Sequence, residues 1–159
     1  MRRAVGDDQA CIREMLYQAV YVAEGQSPGE QSIVDEPELA VYHEGWMRKG
    51  DEGVIAEVSG RSVGAAWVRL FSKEAPGYGF VSEDIGELTI ALLPEYRGCG
   101  IGTMMLKRLL DLLARQGVHT LSLSVDPLNP ALRLYKRFGF IETGTIGDSL
   151  VMTRKERSP

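Results

Sequence analysis

Apolar positions recur along the chain with two periods, one typical of helices and one typical of strands. Helical spacing predicts helices over residues 9–21, 37–47 and 101–116. A further short helix is predicted with Asn129 at its N-cap, Pro130 as its first residue and Gly139 at its end. Alternating or continuous apolar residues predict strands over residues 54–58, 62–71, 86–93, 121–125, 140–143 and 149–154. The predicted order, which begins with a strand, is β–α–α–β–β–β–α–β–α–β–β. Because Ser59-Gly60-Arg61 joins two of these strands as a hairpin, the order favours a mixed sheet over a purely parallel one.

The first predicted helix has a clearer apolar face than the second. Asp8 is placed to cap the first helix, whose apolar residues are spaced three and four apart. These residues are Ile12, Met15, Leu16, Ala19 and Val20. The second helix has only Leu39, Tyr42 and Trp46 at its apolar positions. Residues 25–32, which precede it, contain the Gly, Ser and Pro that are typical of a loop.

Length and composition predict one globular domain over residues 1–159. The net charge of −4 argues against a nucleic-acid partner, since such proteins usually present a basic surface. Two cysteines and two histidines are too few for a disulfide framework or a metal site. Asp7 and Asp8 interrupt the N-terminal segment before any apolar signal sequence, and no apolar run approaches the ~20 residues of a membrane span. We therefore expect a cytoplasmic protein with no membrane partner.

The segment from Pro94 to Thr103 has the composition of an anion-binding turn between a strand and a helix. Gly98, Gly100 and Gly102 allow the backbone to approach a ligand closely and to adopt positive φ where the turn needs it. Amides at the start of the following helix, together with the helix dipole, attract a phosphate. Arg97 adds a full positive charge beside them. An ordinary helix start is the alternative that involves no ligand.

Two established phosphate-binding loops fit this turn less well. The P-loop requires Lys after its last glycine, whereas Gly102 is followed by Thr103. The dinucleotide-binding fingerprint requires G-x-G-x-x-G, and these glycines are spaced G-x-G-x-G, although Asp126 could take the place of the ribose-binding acid. The turn also lies in mid-chain after a hairpin. A nicotinamide-dependent oxidoreductase is therefore a rival prediction that nicotinamide binding would test.

Two segments, Arg97-x-x-Gly100-x-Gly102 and the run from Asn129 to Phe140, follow each other at a characteristic separation. The first resembles the acyl-CoA-binding signature of the GNAT superfamily of N-acetyltransferases. The second, with its Leu-Tyr and Gly-Phe pairs, is similar to the second motif of that superfamily. The resemblance covers about residues 85–143. It implies an α/β fold in which a mixed, mostly antiparallel sheet is flanked by helices and has two splayed parallel strands at the cofactor site.

The resemblance also implies acetyl-CoA as the cosubstrate and indicates which residues bind it. The amides that would bind the pyrophosphate belong to Gly98, Cys99, Gly100, Ile101, Gly102 and Thr103. Arg97 would lie at the start of this turn, and the pantetheine arm would bind the backbone near Leu92. Asn129 matches an asparagine that commonly contacts the arm. Because Asn is also a preferred N-cap residue, Asn129 has an alternative structural role.

Two ionisable residues match catalytic positions of the family. Tyr135 is implied as the acid that protonates the departing thiolate, with a half-buried core residue as the alternative. Glu87 is implied as the base that takes a proton from the amine, directly or through water, with an exposed strand-edge carboxylate as the alternative. Glu83 and Asp84 are nearby substitutes for Glu87. Cys99 is placed for a thiol nucleophile, but the family transfers the acyl group directly and the sequence suggests no Cys-His pair.

The acceptor implied by the resemblance is an amine of a small molecule or a peptide, and dimers are common among the family. Candidates to line the acceptor site are the aromatic residues Trp46, Trp67, Tyr78 and Phe80, although large aromatics usually belong to the core. The Gly-rich loop 73–84 is harder to explain by packing, so we predict that it shapes the acceptor site with the first two helices. A non-catalytic acyl-CoA-binding or sensing module on the same fold is the rival prediction.

Overall fold

The computed structural model describes residues 1–20, 27 and 29–156. The strands of this part are β1 (Arg2–Arg3), β2 (Glu52–Val58), β3 (Arg61–Arg69), β4 (Gly86–Leu92), β5 (Thr120–Val125), β6 (Ile141–Ile146) and β7 (Ser149–Lys155). Its α-helices are α1 (Gln9–Ala19), α2 (Pro37–Ala40), α3 (Ile101–Arg115) and α4 (Ala131–Arg137). Short 3-10 helices lie at Gly6–Asp8, Gln31–Asp35 and Pro94–Tyr96. The order of helices and strands agrees with the order predicted from the apolar pattern.

All these strands form one sheet in the order β1-β2-β3-β4-β5-β7-β6. The pair β4–β5 is parallel, and every other neighbouring pair is antiparallel. Helix α3 makes the crossover between the two parallel strands. This topology confirms the prediction of a mixed, mostly antiparallel sheet flanked by helices.

Helix α3 packs on one face of the sheet because its leucines repeat at helical spacing. Leu106, Leu109 and Leu113 are almost fully buried. At Gly64 in β3, a Cβ would lie 2.5 Å from Cδ2 of Leu92 in β4 and 3.2 Å from Cε of Met105 in α3, so glycine leaves room for both side chains. Since α3 follows β4 with only a short connection, its N-terminus lies beside the end of that strand. The predicted anion-binding turn forms this connection.

A buried ion pair lies on the opposite face of the sheet. The guanidinium of Arg69 donates to both carboxylate oxygens of Asp51, at 3.0 and 2.8 Å, and both side chains are 0% exposed. The remaining Nη1 of Arg69 donates to the carbonyls of Val41 and Glu44, at 3.1 and 2.5 Å. The pair therefore holds the turns that follow α2 against the end of β3.

The second predicted helix is much shorter than residues 37–47, and this prediction is wrong in length. Helix α2 ends at Ala40, and turns continue to Met47. Met47 adopts φ 74°, and its amide donates to the carboxylate of Asp51 at 2.9 Å. The buried carboxylate thus takes the amide that a continuing helix would have used.

The cap predicted for α1 is also wrong. Asp8 stands directly before α1 but makes no capping hydrogen bond with its side chain. Its carboxylate instead accepts from Arg2 at 2.7 Å and from the amide of Val5 at 2.7 Å. Residues 21–26 and 28, on which the end of the first predicted helix and part of the predicted loop 25–32 fall, lie outside the described residues. In the part of the chain that is described, no helix combines the length and apolarity needed to cross a membrane.

Candidate active site

The parallel strands β4 and β5 pair only at their first residues. Gly86 pairs with Leu121 and Glu87 pairs with Ser122, whereas β4 continues as far as Leu92. The other edge of β4 is paired with β3 from Glu87 to Leu92. The two strands therefore separate toward their carboxyl ends and leave a gap between them. This is the splay that the family resemblance implied.

The turn beyond β4 presents a series of unpaired amides. No backbone or side-chain acceptor in the described residues takes a hydrogen bond from the amides of residues 98–103. Gly98 and Gly100 adopt φ of 75° and 89°, a conformation that a residue with a Cβ rarely adopts. Because α3 begins at Ile101, the positive end of its dipole adds to these amides. Such a cluster suits an anion with several oxygens, for example a diphosphate.

Two arginines lie beside this turn, and the sequence motif indicates only Arg97. The guanidinium of Arg97 donates to the carbonyls of Leu92 and Gln18, at 3.1 and 3.2 Å, and so connects the end of β4 to α1. The second is Arg137, whose Nη2 donates to Oγ1 of Thr103 at 3.2 Å. Arg137 is part of the second motif, but its position in the sequence did not show that it reaches the N-terminus of another helix.

Asn129 and Cys99 both have partners close to them in the chain. Oδ1 of Asn129 accepts from the amide of Ala131 at 2.9 Å, so its side chain stabilises the turn before α4, although the N-cap position of this helix is Pro130 rather than the predicted Asn129. The sulfur of Cys99 is exposed and lies 2.9 Å from the carbonyl oxygen of Tyr96. A carbonyl oxygen is too weakly basic to take the proton of the thiol, so this partner of Cys99 is not a general base.

Glu87 is buried where the two parallel strands separate. Its side chain is 2% exposed, which differs from an exposed strand-edge carboxylate. Oε1 accepts from the amide of Gly79 at 2.8 Å, and Oε2 accepts from the hydroxyl of Tyr42. Burial raises the pKa of the Glu87 carboxyl to about 7, and the two hydrogen bonds only partly oppose this rise. A carboxyl that titrates near neutral pH is suited to general base catalysis. The alternatives, Glu83 and Asp84, are exposed.

The loop between β3 and β4 closes over Glu87. The amide of Tyr78 donates to the hydroxyl of Tyr42 at 2.7 Å, so Tyr42 connects the loop to the carboxylate. A Cβ on Gly79 would lie 2.6 Å from the carbonyl carbon of Leu123 in β5, so only glycine fits there without a shift of the backbone. The apolar pattern of the sequence indicates Tyr42 only as an apolar position of a helix. The signal that could have indicated its role is that a buried tyrosine hydroxyl usually needs a hydrogen-bond partner.

Two of the four aromatic residues predicted to line an acceptor site belong to the core. Trp46 and Trp67 are 7% and 0% exposed. Tyr78 in the β3–β4 loop is 40% exposed, and Phe80 is partly buried. Of these four aromatic residues, only the two in the loop expose a substantial part of the side chain.

Tyr135 and Ser122 contribute two further hydroxyl groups. Tyr135 is buried, and its ring packs edge-on against Phe140 with centroids 6.0 Å apart. Burial raises the pKa of the Tyr135 hydroxyl above its ordinary value, so the group remains protonated at neutral pH. Ser122 is 0% exposed, and its hydroxyl has no hydrogen-bond partner among the described residues. Leaving a buried hydroxyl without a hydrogen bond costs about 1–3 kcal/mol of stability. A polar group of a ligand that bound beside Glu87 could therefore gain a hydrogen bond from Ser122.

The candidate groups lie at the two ends of the gap between β4 and β5. Glu87 and Ser122 are at the closed end, and the amides of residues 98–103 with Arg137 follow the open end. Among the described residues, no group of three or more His, Cys, Asp or Glu side chains is placed to hold a metal ion. The arrangement suits a ligand with a diphosphate at one end and a reactive group at the other.

Comparison by sequence finds acetyltransferases. A family model described as "Acetyltransferase (GNAT) family" matches residues 17–140. A mycothiol acetyltransferase from Acidimicrobium ferrooxidans is 37% identical over 105 residues, which cover 65% of this chain and 32% of that protein. The matched region thus spans about a third of the length of that relative.

Comparison by structure finds the same fold. A ribosomal-protein-alanine N-acetyltransferase from Brucella melitensis superposes with a TM-score of 0.69 at 23% identity, over 98% of each chain. The yncA protein of Salmonella typhimurium, solved with its cofactor acetyl-CoA, superposes with a TM-score of 0.67 at 23% identity. That superposition covers 99% of this chain and 95% of the other. At this level of identity, the agreement concerns the fold.

Proposed function

Because the chain belongs to the GNAT acetyltransferase family, we propose that it transfers an acetyl group from acetyl-CoA to a primary amine. The observation that carries this proposal is the gap between β4 and β5, which leads to a turn with six consecutive unpaired amides. The acceptor is an amine of a small molecule or a peptide. The yncA protein, which has the same fold, was solved with acetyl-CoA, and this supports the choice of donor.

The residues present fit acetyl-CoA. The amides of residues 98–103 would bind its pyrophosphate, with Arg97 at the start of the turn and Arg137 at its end. The edge of β4 that faces β5 is free of strand pairing beyond Glu87 and would bind the pantetheine arm near Leu92, whose carbonyl also accepts from Arg97. Asn129 lies just before α4 and would contact the arm. When bound, acetyl-CoA supplies an acetyl thioester, whose carbonyl is the electrophile of the reaction.

Two side chains would move the protons: Glu87 at the closed end of the gap and Tyr135 in α4. An alkylamine is mostly protonated at neutral pH, so a base must take a proton before the nitrogen can attack. Glu87 takes this proton at Oε1, once the amide of Gly79 has released that oxygen. The protonated hydroxyl of Tyr135 gives its proton to the sulfur that leaves. Backbone amides of β4 that face the gap stabilise the developing negative charge on the carbonyl oxygen.

The function is tested by incubating the protein with acetyl-CoA and a library of amines and measuring the release of free thiol. Binding of acetyl-CoA is measured separately by calorimetry. Release of thiol with at least one amine, well above release without an amine, supports the proposal. Tight binding without transfer to any amine would instead indicate the non-catalytic acyl-CoA-binding module. Absence of binding would contradict both.

Replacement of Arg137 by Gln is expected to raise the KM for acetyl-CoA about fivefold and to leave kcat within about twofold, because one exposed charge-assisted hydrogen bond is lost. Steady-state kinetics with varied acetyl-CoA measures both constants. The matched control is Lys136→Gln, which removes the same charge from the preceding residue, whose ammonium lies 3.5 Å from Glu142. Equal effects of the two variants would show that Arg137 acts only through net charge.

A further inference from the structure

The two oxygens of the Glu87 carboxylate have hydrogen-bond donors of different kinds. Oε1 accepts from the amide of Gly79 at 2.8 Å, and this amide belongs to the loop between β3 and β4. Oε2 accepts from the hydroxyl of Tyr42, a residue that is 5% exposed and lies just after α2. A proton can be taken at Oε1 only when the contact with Gly79 opens, whereas the contact with Tyr42 can persist throughout the reaction.

Three sets of contacts hold Tyr42 against the sheet. The indole Nε1 of Trp67 in β3 donates to the carbonyl of Tyr42 at 3.1 Å. The ring of Tyr42 packs edge-on against Phe71, with centroids 5.0 Å apart. The guanidinium of Arg69 donates to the carbonyls one residue before and two residues after Tyr42. The hydroxyl therefore has a fixed position relative to β3, and hence to β4, which pairs with β3.

The loop between β3 and β4 determines which way the Tyr42 hydroxyl points. The amide of Tyr78 donates to this hydroxyl at 2.7 Å. Because that partner is a donor, the proton of the hydroxyl is left for Oε2 of Glu87. A Cβ at Gly77 would overlap both Oε1 of Glu87 and the hydroxyl of Tyr42, so the loop covers the pair closely.

The other ionisable groups on the neighbouring strands and in the loop are directed elsewhere. On β3, Arg69 pairs with Glu87 in register, but its guanidinium donates to Asp51 and to backbone carbonyls. On β5, the register partner is the uncharged Ser122. The ionisable residues of the loop are exposed; these are Lys73, Glu74, Tyr78, Glu83 and Asp84. Burial raises the pKa of Glu87, and the hydrogen bond from Tyr42 is the side-chain contact that opposes this rise.

We propose that Tyr42 is the positioning residue of the base, whose hydroxyl holds Oε2 of Glu87 while Oε1 leaves the loop amide and faces the amine. This inference rests on the proposed acetyl transfer and adds a residue to its first proton transfer. Tyr42 touches neither substrate in this scheme and lies outside the turn of residues 98–103. It should therefore act on kcat through Glu87 and leave the KM for acetyl-CoA unchanged.

The kinetic test replaces Tyr42 by Phe, which removes the hydroxyl and keeps the ring. The midpoint of the rise of kcat with pH should move up by about one unit, because the carboxylate loses a hydrogen bond that stabilises its charge. Above this rise, kcat should remain about fivefold lower, since the carboxylate is less well oriented. In the Glu87→Gln background, the same replacement should change kcat by less than about twofold. Equal losses in both backgrounds would overturn the inference, because Tyr42 would then act independently of Glu87.

A titration without acetyl-CoA separates this inference from the proposed function. The carboxyl carbons of isotope-labelled glutamates are followed by NMR, and the Glu87 signal is identified by its absence from Glu87→Gln. Its midpoint should be about 7 in the unmodified protein and about one unit higher in Tyr42→Phe. A higher midpoint supports the inference even if no amine is acetylated. Equal midpoints would overturn it even if amines are acetylated.

The matched control is Tyr17→Phe, which removes a hydroxyl that donates to the carbonyl of Gly29 at 2.6 Å. The midpoint of Glu87 in this variant should equal that of the unmodified protein, and a rise as large as that in Tyr42→Phe would overturn the inference. Thermal unfolding shows whether Tyr42→Phe has kept its fold. If it has not, the NMR signal of Tyr42 Cζ is followed in the unmodified protein. That signal should titrate with the midpoint of Glu87, and a constant signal would overturn the inference.

Discussion

Replacement of Glu87 by Gln is expected to lower kcat about 100-fold or more, in the range that loss of a general base usually costs. Gln keeps the shape of the side chain and can still accept from the amide of Gly79, so the loop should remain closed. Because the pKa of the Glu87 carboxyl is about 7, the base is mostly protonated below that pH and mostly ionised above it. The kcat of the unmodified protein should therefore rise between about pH 6 and pH 8 and then level, whereas kcat of the variant should stay flat.

The control for this variant is Glu83→Gln, which changes an exposed carboxylate four residues earlier. Its kcat and pH profile should match those of the unmodified protein. If Glu87→Gln kept both kcat and the rise with pH, Glu87 would be a positioning residue for the loop, and another group would have to take the proton.

Replacement of Asp51 by Asn is expected to lower the free energy of unfolding by about 3–5 kcal/mol, as does the loss of one partner from a buried ion pair. The carboxylate and Arg69 are both 0% exposed, so the variant leaves a guanidinium charge in the interior without its counter-ion. The amides of Met47 and Arg48 also lose their charged acceptor. Urea unfolding followed by circular dichroism measures the change.

The matched control for Asp51→Asn is Arg61→Gln, which breaks the exposed pair of Arg61 and Glu95 at 3.4 Å. Because solvent screens such a pair, this variant should unfold at the same urea concentration as the unmodified protein. A similar small effect for Asp51→Asn would show that the interior around Arg69 admits water or another anion.

Local signals in the sequence predicted much of the fold. The leucines of α3, the alternation in β5 and the hairpin of β2 and β3 were found at nearly the observed residues, because each depends on neighbours a few positions away. The length of the second helix was not predictable in this way. Beyond Ala40, Arg69 in the sheet takes the carbonyls of Val41 and Glu44 that a continuing helix would use, and the buried Asp51 takes the amide of Met47.

The candidate site was predictable to the same extent. The glycine turn depends on residues adjacent in the chain, and its motif indicated the unpaired amides. The burial of Glu87 depends on Tyr42, 45 residues earlier, and on a loop whose path the composition alone does not define. The reach of Arg137 to Thr103 likewise spans two helices, and no local pattern reports it.

The contacts of Gly79 couple the loop between β3 and β4 to both parallel strands. Its amide donates to Glu87 in β4, and a Cβ at this position would meet the backbone of Leu123 in β5, so a single residue touches both strands. A substitution that gives this residue a side chain must therefore displace the loop or β5, and with either of them the hydrogen bond that orients the buried carboxylate.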